Sequence, residues 1–233
     1  MGGPRRPGIQ ARLGARLVRL ALRAYHTTWR PRLISVYGAR ILVPRGVFIP
    51  LGTVSSGLLA GILASMEVGP GRLLDIGCGS GVLAVVAALH GWEAVCYEPS
   101  PAGRAAARLN VALNGLQGRV SVTGDPREVV ELGPYDVVVS NPPYLPLEPR
   151  DRLDELWCAG EDLRVLKAIG RLAGEASPGG LMIASLSSLT PLEAGVEALG
   201  LKNWRVVACK LAGIDRVYIV EGRLPSRGPA PLV

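Results

Sequence analysis

The stretch Leu73-Leu74-Asp75-Ile76-Gly77-Cys78-Gly79-Ser80-Gly81-Val82-Leu83-Ala84 decides the reading of this chain. An apolar run meets three alternate glycines, and a second apolar run follows them to Leu89. That order is a strand, a glycine loop and a helix, and glycine lets the backbone approach a ligand closely where the free N–H groups of a helix start converge. A dinucleotide fingerprint requires G-x-G-x-x-G. Here Gly81 comes one position early and Val82 holds the expected place, which argues against NAD. Asp75, just before the first glycine, would repel a pyrophosphate and attract an ammonium. The ligand expected at Asp75, Gly77, Gly79 and Gly81 therefore carries a cationic amino-acid head.

Outward from this stretch, strand-like runs at 72–76, 94–97, 120–123, 136–140 and 181–186 alternate with helical stretches at 81–89, 101–114, 162–175 and 191–199. Such alternation implies βαβ units and a mainly parallel sheet. Residues 203–209 and 214–221 follow with only Leu211-Ala212-Gly213 before the second, the pattern of a terminal hairpin. The expectation is an α/β, Rossmann-like, seven-stranded sheet, mainly parallel with an antiparallel last strand, with helices on both faces. Glu98 ends the second strand, where such folds place the acid that binds ribose hydroxyls. Asp125 ends the third, placed to accept from an exocyclic adenine amine. Either acid alone reads equally as a helix cap or a surface charge; three at successive strand ends point to a nucleoside site.

The fourth strand runs into Asn141-Pro142-Pro143-Tyr144. Prolines fix φ and lack N–H groups, so this bend presents carbonyls and one carboxamide beside an aromatic ring. It suits a small planar group bearing an NH2: Asn141 and the Pro142 carbonyl accept its two protons, and Tyr144 covers its face. An ordinary turn is the alternative reading of the four residues taken alone.

The 233 residues suit one substantial domain with an appended segment. Ten arginines, from Arg5 to Arg45, precede the first acid, Glu67. This charge marks residues 1–45 as a basic extension, 46–222 as the main domain and 223–233 as a loose Pro-rich tail. Loose structure is also expected at 1–10. Residues 10–25 read as a basic amphipathic helix that either packs its leucines on the domain or lies on an anionic partner such as RNA or a ribosome. Residues 33–50 read as short extended pieces, at 41–43 and 47–49, and a helix follows, capped by Thr53 or Ser55 and ended by Gly69-Pro70-Gly71. The uncharged run 46–66 is diluted by Gly, Pro and Ser, so no membrane span is expected. Four separated cysteines suit a reducing cytoplasm and no metal site. His26 and His90 receive no catalytic role and are expected at the surface.

The combination of D-I-G-C-G-S-G at 75–81, Glu98, Asp125 and Asn141-Pro142-Pro143-Tyr144 resembles the class I S-adenosylmethionine-dependent methyltransferases. With Trp157-Cys158-Ala159-Gly160-Glu161-Asp162 added, it resembles, over roughly residues 45–222, the HemK family of protein N5-glutamine methyltransferases. The resemblance implies S-adenosylmethionine held by the glycine loop, Asp75, Glu98, Asp125 and Asn141. It also implies a glutamine amide, as in release factors, bound by Asn141, Pro142, Pro143 and Tyr144, with Asn141, Pro142 and Tyr144 catalytic. Some relatives of this type need a small activator subunit. The chain departs from the family at Phe48-Ile49-Pro50-Leu51-Gly52-Thr53-Val54-Ser55, where HemK-like enzymes usually carry a carboxylate, and this departure puts the substrate in doubt. Two rival readings stay open: a nucleic-acid base methyltransferase acting on adenine N6 or guanine N2, and a non-catalytic partner-binding subunit.

Overall fold

The computed structural model describes residues 9–50, 52–66 and 71–226. The chain begins with helix α1 (Ile9–Thr28), the hairpin β1 (Arg32–Val36) and β2 (Ala39–Val43), and helix α2 (Val54–Ser65). The alternating region supplies β3 (Arg72–Ile76), α3 (Val82–Leu89), β4 (Glu93–Tyr97), α4 (Pro101–Leu113), β5 (Val120–Thr123), α5 (Pro126–Glu131) and β6 (Val137–Ser140). A 3₁₀ turn at Asp154–Leu156, α6 (Arg164–Ala176), β7 (Leu181–Ser187), α7 (Leu192–Ala198), β8 (Lys202–Ala212) and β9 (Asp215–Arg223) complete it.

The main sheet has seven strands in the order β5-β4-β3-β6-β7-β9-β8. Pairing is parallel from β5 to β7, while β9 lies antiparallel between β7 and β8. The order reverses at β3, so the loops leaving β3 and β6 open on the crevice where such sheets bind ligands. Alternate residues of the strands bury against two layers. Leu73, Val137, Val139, Ile183 and Ile219 face α2, α3, α4 and the hairpin, whereas Leu74, Val138, Met182, Ala184 and Val220 face α5, α6 and α7. Helix α3 is apolar all round because it is buried all round, and α6 buries Leu166, Ile169, Ala173 and Ala176 at spacings of three and four.

Several elements differ from the sequence reading. The hairpin forms between β1 and β2 around Tyr37-Gly38, whose φ values of 44° and 82° match a two-residue hairpin turn, and 47–49 adds no strand. Ile9 and Gln10, expected loose, belong to α1. The tail expected loose over 223–233 is ordered where it begins, since Arg223 ends β9 and the buried Leu224 bonds the Gly180 carbonyl at 2.9 Å; its remainder at 227–233 lies outside the described residues, as do residues 1–8, Leu51 and the Gly69-Pro70 break. The basic extension is not separated from the domain by packing: Trp29, Ile34, Ile41 and Val43 share a core cluster with Leu73 and Val86.

Helix α1 meets the packing expectation in part: Leu22 lies partly buried against the cluster of Ala15, Leu145 and Trp157. Its leucines Leu13, Leu17 and Leu20 stand 53–58% exposed, and the face turned inward carries Ala15, Arg19 and His26. Arg19 and Arg23 reach Asp154, at 3.7 and 2.7 Å, and Arg23 also holds Asp151 at 2.9 Å. Asp154 is fully buried, so the helix side that meets it must be cationic. His26 is buried as well, between Phe48 and Trp157 at ring distances of 5.6 and 5.0 Å, and burial lowers its pKa to about 4. His90 is exposed at the end of α3, as expected.

The hairpin is tied to the sheet by two amides one turn apart on α4. Asn110 accepts from Leu42 N–H at 2.8 Å and donates to the Leu42 and Ser80 carbonyls, both at 2.9 Å. Asn114 pairs with the backbone of Arg40 in the same way, at 2.9 and 2.8 Å. Both asparagines act as a surrogate strand, and Asn110 fastens the hairpin to the glycine loop itself.

Candidate active site

The loop after β3 turns at Gly77, Gly79 and Gly81, all with φ between 54° and 76°, values that favour glycine. A Cβ at Gly77 would project into open space, the property of a cradle. At Gly81 it would meet Ala107 at 3.2 Å, so that glycine serves the packing of α3 on α4. Gly77 and Gly79 line a cavity of about 780 Å³; Gly81 does not.

Asp75 lines the same cavity with 1% of its surface exposed. One carboxylate oxygen accepts from Ala84 N–H at 3.3 Å, and the other, Oδ1, is buried without a partner. Desolvation is the main reason its pKa rises to about 7, with the Glu98 charge adding to it. An orphaned carboxylate oxygen at a cavity wall is a ready site for a ligand ammonium. Glu98 lines the cavity too, and its two oxygens accept from Gly79 N–H and Ser100 N–H, both at 2.8 Å. Each oxygen keeps a lone pair for a hydroxyl while the side chain staples the glycine loop to the end of β4. Gly103 makes room for it, since a Cβ there would sit 2.6 Å from Glu98 Cγ.

Asp125 is placed otherwise. It caps α5 through Arg127 N–H at 2.9 Å, pairs with the Arg127 guanidinium at 2.9 Å and lies outside the cavity lining. Its pKa is lowered, chiefly by that guanidinium. Pro126, beside it, does line the cavity.

At the other end, Asn141 and Pro143 border the cavity, whereas Pro142 and Tyr144 do not. Tyr144 packs against the cluster of Ala15, Leu145 and Trp157, and burial pushes its hydroxyl up to about 12. The aromatic residues on the cavity wall are Phe48, with Pro50 also in the lining, and Tyr97 at the end of β4. Beyond Tyr144 the chain doubles back: Leu145 N–H bonds the Trp157 carbonyl and Ala159 N–H the Leu145 carbonyl, both at 2.8 Å. The enclosed segment sets Arg152, Leu153, Glu155 and Leu156 along the cavity. Asp154, held by α1, anchors that segment from behind.

The Asn141 carboxamide is clamped. Its Nδ2 donates to Ser56 Oγ at 3.0 Å, and its Oδ1 accepts from Ser185 Oγ at 2.6 Å. Both serines are buried. Pattern reading passed over Ser56, Ser185 and Asn110. The available signals were a hydroxyl inside the apolar helix 54–65, another inside the buried strand 181–187, and an asparagine in mid-helix, where it is a poor former.

The donor set fits S-adenosylmethionine: an unpaired acid at a glycine cradle for the amino-acid head, a second acid one strand over for ribose hydroxyls, and the apolar Val165, Ile169 and Leu172 of α6 beside them. The cavity lies toward the upper end of the roughly 300–1,000 Å³ of ligand pockets, which leaves room for a second planar group.

Known proteins agree with this geometry. Residues 44–151 match the family model described as the methyltransferase small domain. A ribosomal RNA small subunit methyltransferase C from Alcanivorax borkumensis is 41% identical over 75 residues, 32% of this chain and 22% of that protein. Its namesake from Escherichia coli K12 is 37% identical over 114 residues, 47% of this chain and 32% of that one. The chain thus matches less than a third of the length of these curated relatives. Among solved structures, a T. thermophilus 16S rRNA methyltransferase acting at N2 of a guanine, in complex with AdoMet and guanosine, superposes with a TM-score of 0.63 at 22% identity, over 84% of this chain and 50% of that one. The fold is therefore the Rossmann-like fold of these methyltransferases.

Proposed function

We propose that this chain, whose residues 44–151 match the methyltransferase small domain, is an S-adenosylmethionine-dependent N-methyltransferase whose acceptor is the exocyclic N2 amine of a guanine in RNA. One observation carries the reading: a single cavity is lined by Asp75 and Glu98 together with Asn141, Pro143 and Phe48. The names of the three relatives given above, each a ribosomal RNA methyltransferase, favour a base over the protein glutamine that the HemK resemblance implies.

Asp75 Oδ1 takes the ammonium of the cofactor and Glu98 its ribose hydroxyls. When bound, S-adenosylmethionine supplies an electrophilic methyl group on a sulfonium. A guanine turned out of its stack slides between Phe48 and Pro143, and Asn141 Oδ1, whose second lone pair is free of Ser185, accepts one N2 proton. That acceptor aims the nitrogen and stabilises the positive charge that grows on it, so no strong base is required before transfer, and the surplus N2 proton passes to water once the methyl group has left the sulfonium. Tyr144 supports the bend from behind.

The test is incubation with isotope-labelled S-adenosylmethionine and unmethylated ribosomal RNA, followed by nucleoside mass spectrometry. N2-methylguanosine is the expected product. Label found as N6-methyladenosine, or in the Gly-Gly-Gln glutamine of a release factor with none in RNA, overturns the reading.

A further inference from the structure

Four of the arginines in the first 45 residues are held by the fold in two different ways. Arg19 and Arg23 are consumed by Asp154 and Asp151. Arg32 and Arg45 form no ion pair among the described residues, yet neither is loose. The indole of Trp29 is buried and locked by a 3.0 Å bond from Nε1 to the Val43 carbonyl. Arg32 lays its guanidinium over that ring, 4.3 Å from the centroid, and Arg45 Nε donates to the Trp29 carbonyl at 3.2 Å. In the hairpin register Arg32 stands opposite Val43, two residues from Arg45, so the two cations share one end of the hairpin. Arg45 leads directly into Gly46, Val47 and Phe48, which line the cavity.

This arrangement has the properties of a phosphate clamp. A guanidinium stacked face-on keeps its N–H edge free, and one held through Nε keeps both terminal nitrogens free, so each still offers a forked donor set. Their conformational freedom is already spent in the folded protein, which reduces the ordering cost of binding an anion. Two fixed cations without ion pairs, Arg45 next in the chain to the cavity-lining Gly46 and Arg32 at the same end of the hairpin, suit the phosphates that flank a base entering the cavity. Resting on the RNA reading above, we propose that Arg32 and Arg45, spread on Trp29, clamp the RNA backbone flanking the acceptor guanine, and that the arginines of α1 facing Asp154 do not.

The experiment measures RNA affinity against salt for the full chain and for Arg32→Gln, Arg45→Gln, their double variant and Arg40→Gln. Arg40 is the control: it lies toward the turn of the same hairpin, with roughly 10 Å of strand between it and Val43. Each phosphate contact contributes about 0.7–0.9 to the slope of log affinity on log salt, so the double variant is expected to lose about 1.5 from the slope. Its KM for RNA should rise at least tenfold, with kcat at saturating RNA and cofactor affinity unchanged, while Arg40→Gln matches the parent. Arg32→Gln breaks no hydrogen bond of the fold and alone should lose about half of the slope change, so it decides the matter if the double variant misfolds. An unchanged slope in an enzyme that still methylates guanine N2 overturns the clamp and leaves the function standing. A parent protein that methylates glutamine and not RNA overturns both.

Discussion

Asn141 sits between two hydroxyls that leave its carboxamide one orientation. Ser185 donates to the oxygen and Ser56 accepts from the nitrogen, so the planar group stays poised before any acceptor arrives. Removing the donor frees the amide to rotate while leaving its chemistry intact. Ser185→Ala is therefore expected to lower kcat about tenfold, the equivalent of one hydrogen bond of roughly 1.4 kcal/mol, with cofactor affinity unchanged in calorimetry. Loss of cofactor binding in step with kcat would contradict a positioning role. Asp75 makes the opposite division. With a pKa near 7 and an ordinary value near 4, it is neutral in the unliganded fold below pH 7 and must ionise to receive an ammonium. Cofactor affinity should then rise by up to tenfold per unit from pH 5 to 7 and level off above, and Asp75→Asn should bind weakly at every pH. The sign for the empty protein is reversed. Between pH 4 and 7 the folded state holds a proton that the unfolded chain releases, so stability falls across the window as pH rises, which denaturant titration at several pH values would register.

At the scale of elements, helix α1 carries Leu13, Leu17 and Leu20 outward because a buried aspartate waits on the other side. Asp154 cannot be buried alone, and Arg19 and Arg23 meet it while also bracing the segment that forms one cavity wall. Asp154→Ala removes the acid and leaves the Arg19 guanidinium, itself 5% exposed, without a counter-ion. The expected cost is about 3 kcal/mol, read from the denaturant midpoint. By contrast, replacing Leu13, Leu17 and Leu20 together with glutamine should shift that midpoint little, because side chains more than half exposed contribute little burial. A large destabilisation by the triple variant would mean that the leucines are covered in solution. The period of three and four arginines showed a helix with two faces. Which face turns inward was not legible, since the deciding acids lie 128 and 131 residues from Arg23.

At the scale of the molecule, the hairpin, the glycine loop and α4 are tied together by Asn110. Its three bonds satisfy both polar groups of Leu42 and the Ser80 carbonyl at a site with no exposed surface. Asn110→Ala would orphan all three, an expected loss of about 3 kcal/mol or more, and would loosen the cradle, so cofactor affinity should fall along with stability. An affinity equal to the parent's would show that the hairpin is held independently of the loop.

Sequence alone determined those features whose cause is local. Apolar runs alternating with helical periods specify strands and helices whatever lies elsewhere, and the short link before the last strand specifies an antiparallel hairpin. Three alternate glycines after a strand specify a tight loop because glycine takes without steric cost the left-handed turns found at Gly77, Gly79 and Gly81, of which the first two line the cavity. Asp75, Glu98 and Asn141 were legible for the same reason: each sits at a strand end, and strand ends of a parallel sheet share one crevice. What the tertiary structure decided depends on partners distant in the chain. Asn141 is fixed by residues 85 and 44 positions away. Asp125, at a strand end like the others, is drawn out of the cavity by Arg127, and Phe48 takes the wall position expected of Tyr144. No local pattern records which of several chemically suitable groups will be nearest once the chain is packed, because that choice is made by burial and pairing over the whole fold.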